Sequence, residues 1–203
     1  MEAALGYMVG VVGKPNVGKS TFFSAATLIS VPIANYPFTT IKPNRGMGYV
    51  RTPCVCREFD VQDEPVNSAC VGGTRLVPVE LVDCAGLVPG AWQGRGLGNR
   101  FLDEISRADA LVQIVDAAGA TDTDGRMRAP GTHDPSEDVK FLENEIVMWI
   151  LQIVRKDWVS MARKSEGTKD GLVCELERSL SGLAIKGNHV VKAIESTQLD
   201  PAK

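Results

Sequence analysis

The chain has 203 residues, 44% of them hydrophobic and 23% charged, with a formal net charge of −3. That balance is ordinary for a globular protein and argues against a free-standing nucleic-acid binder, which would carry a basic surplus. No stretch approaches the roughly 20 apolar residues of a membrane span. Residues 1–12 carry Glu2 where a secretion signal would be basic, so a cytoplasmic protein without membrane contact is expected.

In chain order, the apolar run Tyr7 to Val12 predicts a strand, and a helical pattern follows over residues 20–29. Between them stands Gly13-Lys14-Pro15-Asn16-Val17-Gly18-Lys19-Ser20-Thr21. A strand that enters a glycine-bearing loop and leaves through a helix N-terminus is built to surround a phosphate with backbone N–H groups. In that pattern Lys19 reaches the β- and γ-phosphates and the Ser20 hydroxyl ligates Mg²⁺. The competing reading, a plain turn before an unrelated helix, leaves the agreement of spacing, flanks and residue types unexplained.

Pro32, Pro37 and Pro43 exclude a helix over the next stretch, whose centre is Phe38-Thr39-Thr40-Ile41. A threonine there can give its hydroxyl to Mg²⁺ and its N–H to the γ-phosphate, ordering the loop only with triphosphate. Thr40 is favoured over Thr39. Residues 46–51 read as a short strand, and 52–73 as loop without a legible role. Leu76 to Val82 is a strong strand ending in Asp83-Cys84-Ala85-Gly86. Asp83 suits a carboxylate that holds Mg²⁺ through water, and the Gly86 N–H suits a γ-phosphate sensor.

Leu87 follows, where many regulatory GTPases place a Gln that orients the attacking water. Slow turnover is expected unless another group helps. Asn16 is one candidate, through a bound K⁺; Lys14, Arg95 and His133 are weaker ones, and for His133 an exposed loop position is the simpler reading. The four glycines in residues 88–98 allow a segment that rearranges cheaply. A helix over about 99–107 and a buried parallel strand over 110–115 come next.

Residues 117–134 read as a Gly, Asp and Pro-rich linker. A long helix starts at Pro135-Ser136-Glu137-Asp138, with Ser136 as N-cap, and runs to about Ala162. Its stripe of Val139, Leu142, Ile146, Trp149, Ile150, Ile153 and Val154, with Trp158, reads as the core of a helical hairpin completed by helices over about 172–181 and 190–194. Arg155, Lys156, Arg163 and Lys164 read as a solvated face before they read as an RNA contact. Five cysteines and no signal peptide point to a reducing compartment. Cys54, Cys56 and Cys70 make three quarters of a metal site, but no fourth Cys or His stands at convincing spacing, so ordinary free thiols are expected.

The phosphate loop, Asn35-Tyr-Pro-Phe-Thr-Thr-Ile-Lys-Pro-Asn, and Asp83-Cys-Ala-Gly-Leu-Val-Pro-Gly-Ala with Gly94-Arg-Gly-Leu-Gly-Asn-Arg-Phe-Leu resemble the Obg-like GTPases, and most closely the YchF subfamily in its archaeal form. The resemblance is clear over residues 7–116 and weaker through His133 to Glu143. It implies a nucleotide-dependent switch, with Leu in place of the catalytic Gln, that is linked to ribosomes or rRNA. It also implies that ATP can be preferred to GTP, and that family members carry a helical insertion and a C-terminal TGS domain, the latter not found in this sequence. The Asn/Thr-Lys-x-Asp motif that reads guanine is not found; Thr168-Lys169-Asp170 has the wrong spacing. The chain therefore reads as an N-terminal fragment in which the 110–115 strand becomes an exposed apolar edge.

The expectation is an α/β fold, a P-loop NTPase parallel sheet flanked by helices, with a helical hairpin or coiled-coil-like insertion. Residues 1–130 would form an incomplete nucleotide domain and residues 131–203 the insertion. The expected activity is slow hydrolysis of GTP, or of ATP, to the diphosphate and phosphate. The alternative is a nucleotide-gated binding module with negligible intrinsic turnover. A small-molecule phosphotransferase is disfavoured by the pairing of Thr40 with Asp83–Gly86.

Overall fold

In the computed structural model, which describes residues 6–29, 43–94, 98–183 and 185–197, the sheet is built on strand β1 (Met8–Val12). Side chains alternate along a strand, so Val11 and Val12 point to opposite faces, and both are fully buried. Val11 joins Phe23 of helix α1 (Lys19–Thr27) and Val79 and Leu81 of strand β4 (Thr74–Asp83). Val12 joins Val82, Leu87, Phe101, Leu102, Ile105 and Leu142 on the other face. Helices therefore cover both faces: α1 on one, and α3 (Gly98–Ile105) with the start of α4 (Pro135–Lys164) on the other.

Strand β2 (Asn44–Pro53), β4, β1 and β5 (Ala110–Gln113) lie in that order. β1 is parallel to β4 and to β5. The sheet is nevertheless mixed. β2 runs antiparallel along all of β4, from Asn44 opposite Asp83 to Pro53 opposite Thr74. The short β3 (Ala69–Val71) pairs antiparallel with the first residues of β4. The strand expected over 46–51 is thus a ten-residue arm, and the stretch 52–73 holds β3 and a one-turn helix α2 (Cys56–Phe59). β5 is not buried: it forms a sheet edge among the described residues, with Leu111 and Val112 more than a third exposed.

α4 is capped two residues earlier than the sequence suggests. Asp134, not Ser136, is the N-cap: its carboxylate accepts from the Ser136 N–H at 2.9 Å, and Pro135 opens the first turn. At 30 residues the helix spans roughly 45 Å, at 1.5 Å per residue. Its two halves serve different cores. Leu142 is buried against the sheet with Ile146 and Trp149, whereas Met161 packs with Leu172, Leu176, Val190 and Ile194 of α5 (Lys169–Ser179) and α6 (Gly187–Thr197). Trp149 therefore belongs to the sheet-side core, and Trp158 is 38% exposed rather than in a hairpin core. Thr168 caps α5 by accepting from Gly171 N–H, which accounts for the Thr-Lys-Asp triplet without a base-reading role.

Candidate functional site

Gly13 leaves β1 at φ 146, and a Cβ there would meet the Ile114 carbonyl oxygen at 2.4 Å. Only glycine fits that approach. Asn16 at φ 64 and Gly18 at φ 94 complete the turn, and Gly18 delivers the chain into α1 with no side-chain cap. The first N–H groups of α1 therefore face the loop without an internal partner, as a phosphate cradle requires.

Lys19 is buried, and its ammonium donates to the Lys14 carbonyl at 2.8 Å, straight back across the loop. Burial lowers its pKa from 10.5 to about 8, and the Asp83 carboxylate opposes that fall. Ser20 Oγ donates to Asp83 Oδ2 at 2.7 Å. Asn44 Nδ2, opposite Asp83 in the β2–β4 ladder, is 3.5 Å from the same oxygen. Asp83 is fully buried, and its Oδ1 has no hydrogen-bond partner among the described residues. A buried carboxylate oxygen left open beside a serine hydroxyl suits a hard divalent cation, so these residues fit Mg²⁺. Cys84, next in sequence, is pushed up to about 12 by burial and stays a neutral thiol in the core.

Gly86 lies against Pro15: a Cβ there would come within 2.9 Å of the proline ring. Leu87 N–H donates to the Gly13 carbonyl at 3.1 Å, which fixes the strand end to the loop. The Leu87 side chain is 1% exposed and packed with Val12, Phe101 and Leu102. It is a core residue, turned away from the loop surface. Thr39, Thr40 and Arg95 lie outside the described residues.

The stretch read as a linker is an ordered clamp on the phosphate loop. Asp116 accepts from Thr121 Oγ1 at 2.7 Å and from the N–H groups of Ala118 and Ala120, which hold its pKa below the usual carboxylate value. Thr121 in turn offers its carbonyl to Lys14 Nζ at 2.9 Å. Asn16 Nδ2 donates to the Gly125 carbonyl at 2.7 Å, and Gly125, at φ 77, packs directly on Pro15. Lys14 also pairs with Asp138 at 2.9 Å, both side chains almost fully buried. His133 is not an exposed loop histidine: only 10% of its side chain is accessible, and Nε2 lies 2.7 Å from Asp138 Oδ1. The structure thus assigns Lys14 and His133 to the joint between loop and α4.

Two residues that matter here gave little sequence signal. Asp138 reads as an ordinary first-turn acid. Glu145, a charged residue off the apolar stripe, is 3% exposed and accepts from Gly90 N–H at 2.8 Å and Trp92 N–H at 3.0 Å. It ties α4 to the short 3-10 turn Ala91–Gln93 that follows Gly86 and Leu87.

A glycine loop between the central parallel strand and a helix, with Lys19, Ser20 and the strand-end Asp83 converging on it, defines a P-loop nucleotide-binding fold. The chain belongs to the 50S ribosome-binding GTPase family, whose model matches residues 8–148. It is 50% identical over 196 residues to an uncharacterized GTP-binding protein of Methanocaldococcus jannaschii, a match covering 97% of this chain and 49% of that protein. It is 40% identical over 144 residues to the ribosome-binding ATPase YchF of Haemophilus ducreyi, covering 71% of this chain and 37% of the relative. A crystal structure of a GTP-binding protein from Pyrococcus horikoshii superposes with a TM-score of 0.72 at 38% identity, over 96% of this chain and 48% of that one. The chain spans about half the length of the archaeal relatives it matches.

Proposed function

We propose that the chain binds a purine nucleoside triphosphate with Mg²⁺ in the loop Gly13–Thr21 and hydrolyses it slowly as a switch of the YchF type. The observation that carries this reading is the pairing of Ser20 Oγ with Asp83 Oδ2 at 2.7 Å beside the open, buried Asp83 Oδ1. In this reading Lys19 leaves the Lys14 carbonyl for the β- and γ-phosphates, and loop N–H groups of residues 14–20 take the remaining oxygens. Ser20 and Thr40 hold Mg²⁺, with Asp83 acting through water; the bound ion offsets phosphate charge as the γ-phosphoryl group departs. Gly86 N–H reports the γ-phosphate, and its contact with Pro15 passes any movement to the loop. Catalysis is then positioning and electrostatics. In this reading the Asn16 side chain, whose Nδ2 donates to the Gly125 carbonyl, would offer its Oδ1 to a K⁺ acting as a fixed positive charge. On the same reading residues 1–130, together with the first half of α4 that packs on the sheet, form the nucleotide unit, and the second half of α4 with α5 and α6 forms the helical unit.

GTP is favoured by the names of the archaeal relatives, and ATP by that of the bacterial one. Ribosome engagement is supported by the family's description and by the bacterial relative's name. No helix among the described residues is long and apolar enough to cross a membrane. A second reading, a nucleotide-gated binding module with negligible turnover, is favoured by one observation: the Leu87 side chain is packed in the core and offers nothing to a water. Single-turnover hydrolysis of GTP and of ATP, with and without ribosomes and with K⁺ or Na⁺, separates the two. Slow turnover that K⁺ or ribosomes accelerate supports the switch; undetectable turnover in every condition supports the module. Loss of K⁺ stimulation in Asn16→Ala tests the monovalent-ion role.

A further inference from the structure

The hairpin arm formed by β2 and β4 ends, away from Asp83, in an irregular segment that has little hydrophobic core of its own. Phe59, Val61, Val66 and Val71 are all more than half exposed there. Yet three cysteines from three different elements converge within it. Cys54 follows β2, Cys56 opens α2 and Cys70 sits on β3. Their sulfur atoms all lie within 4.8 Å of one another, and Cys54 and Cys56 are buried. The closest pair, Cys56 and Cys70, is 3.6 Å apart. That is far beyond the S–S bond of about 2.05 Å. It matches the roughly 3.8 Å that separates two thiolates bound at about 2.3 Å to one tetrahedral Zn²⁺.

The nearest carboxylate, which the sequence did not reveal, is that of Asp63, beside Cys54 but outside the 4.8 Å circle of the three sulfurs. Asp63 Oδ2 lies 3.3 Å from Cys54 Sγ, on the loop that α2 and β3 enclose. Arg75 of β4 is bound to Asp63 and places Nη2 3.6 Å from Cys54 Sγ. Three thiolates and a carboxylate around a dication carry a net charge of −2, and a guanidinium beside them offsets part of it, as outer residues of metal sites commonly do. Soft thiolates with one oxygen favour zinc over magnesium or calcium.

The geometry points to a structural Zn²⁺ site held by Cys54, Cys56 and Cys70, completed by Asp63 turning in from beside Cys54, which closes the far end of the β2–β4 arm. Binding releases the thiol protons and involves no redox step. The ion supplies the crosslink that this segment, with few buried apolar groups, does not obtain from packing.

The test is metal content and ligand spectroscopy on the whole chain, purified under reducing conditions and supplied with Zn²⁺ or Co²⁺ alone. The expected result is one tightly held equivalent of Zn²⁺, and a Co²⁺ form with intense thiolate charge-transfer and tetrahedral d–d bands. Cys70→Ser should lose the equivalent and Cys174→Ser, at an exposed cysteine, should keep it. Asp63→Asn should weaken Zn²⁺ affinity by at least about tenfold. Because a cysteine variant can fail to fold, the unmutated chain gives an independent readout: chelation should loosen the backbone around the exposed Arg57 and speed tryptic cleavage there while nucleotide binding persists. A reduced chain that takes up no zinc, a Co²⁺ spectrum without thiolate bands, or a Cys56–Cys70 disulfide in protein purified without reductant overturns the site. Undiminished affinity in Asp63→Asn overturns the carboxylate ligand.

Discussion

Strand β4 has two ends with opposite characters. At its carboxyl end Asp83 is fully buried, and the residues around it are held by a dense set of bonds: Ser20 to Asp83, Lys19 to Lys14, Lys14 to Asp138 and Thr121, and Asn16 to Gly125. At its amino end Arg75 meets Cys54 and Asp63, beside the three-cysteine cluster, in a segment whose large apolar side chains face solvent. The first end is organised by packing and by hydrogen bonds from two helices and a clamp loop. The second has no such frame, and a metal is the simplest way for thiols to provide one. One end is therefore assembled by packing and hydrogen bonds; the other is closed by the proposed ion. The difference can be broken from either side.

The largest effect should come from the clamp. In Asp138→Ala the Lys14 ammonium stays buried without its carboxylate, and breaking a buried pair costs about 3–5 kcal/mol. Urea unfolding should show a loss of that size; a loss under 1 kcal/mol would mean that the joint between loop and α4 does not hold the site. Leu87→Gln comes next. Restoring the glutamine common in related switches should fail here, because the side chain enters the cluster of Val12, Phe101 and Leu102. A destabilisation of about 2–4 kcal/mol with no faster hydrolysis is expected. A rate gain would show that position 87 can turn toward the nucleotide.

Glu145→Ala should follow, at about 2–3 kcal/mol, since it strands the Gly90 and Trp92 N–H groups. Amide hydrogen exchange at those two positions should rise well above the change elsewhere in α4. The smallest effect concerns Asp116, whose folded-state pKa lies below its ordinary value. Its contribution is present above the unfolded carboxylate pKa and is lost as pH falls through the lower folded value. Asp116→Asn should therefore flatten the acid limb of the stability curve, by about 1 kcal/mol or less, and leave stability above neutral pH nearly parallel to the unmutated chain.

What was legible in the sequence followed the same divide. The phosphate loop announces itself because its chemistry is local: Gly13, Gly18, Lys19 and Ser20 lie within one turn of chain, and the strand and helix around them have clear periods. Asp83 was legible because a strand ending in a carboxylate is also a local pattern. The clamp was not. Gly125, Asp138 and Glu145 act across 53 to 124 residues of chain, and a Gly-Asp-rich stretch looks like a linker until its carbonyls find Lys14 and Asn16. His133 was misplaced at the surface for the same reason. The parallel core of the sheet was foreseen, but the antiparallel β2 and β3 were underestimated because polar, exposed strands such as 44–53 carry a weak apolar signal. The cysteines were seen, but their fourth partner was sought among His and Cys, and Asp63 was overlooked.

The central claim is that the pre-formed end of β4 is a triphosphate site. Its most direct test is a titration of labelled GTP with Mg²⁺, competed with ATP, on this chain and on Lys19→Ala. The account predicts Mg²⁺-dependent binding that falls at least about 100-fold in Lys19→Ala with little change in thermal stability. Retained affinity in the variant, or binding indifferent to Mg²⁺, would contradict it.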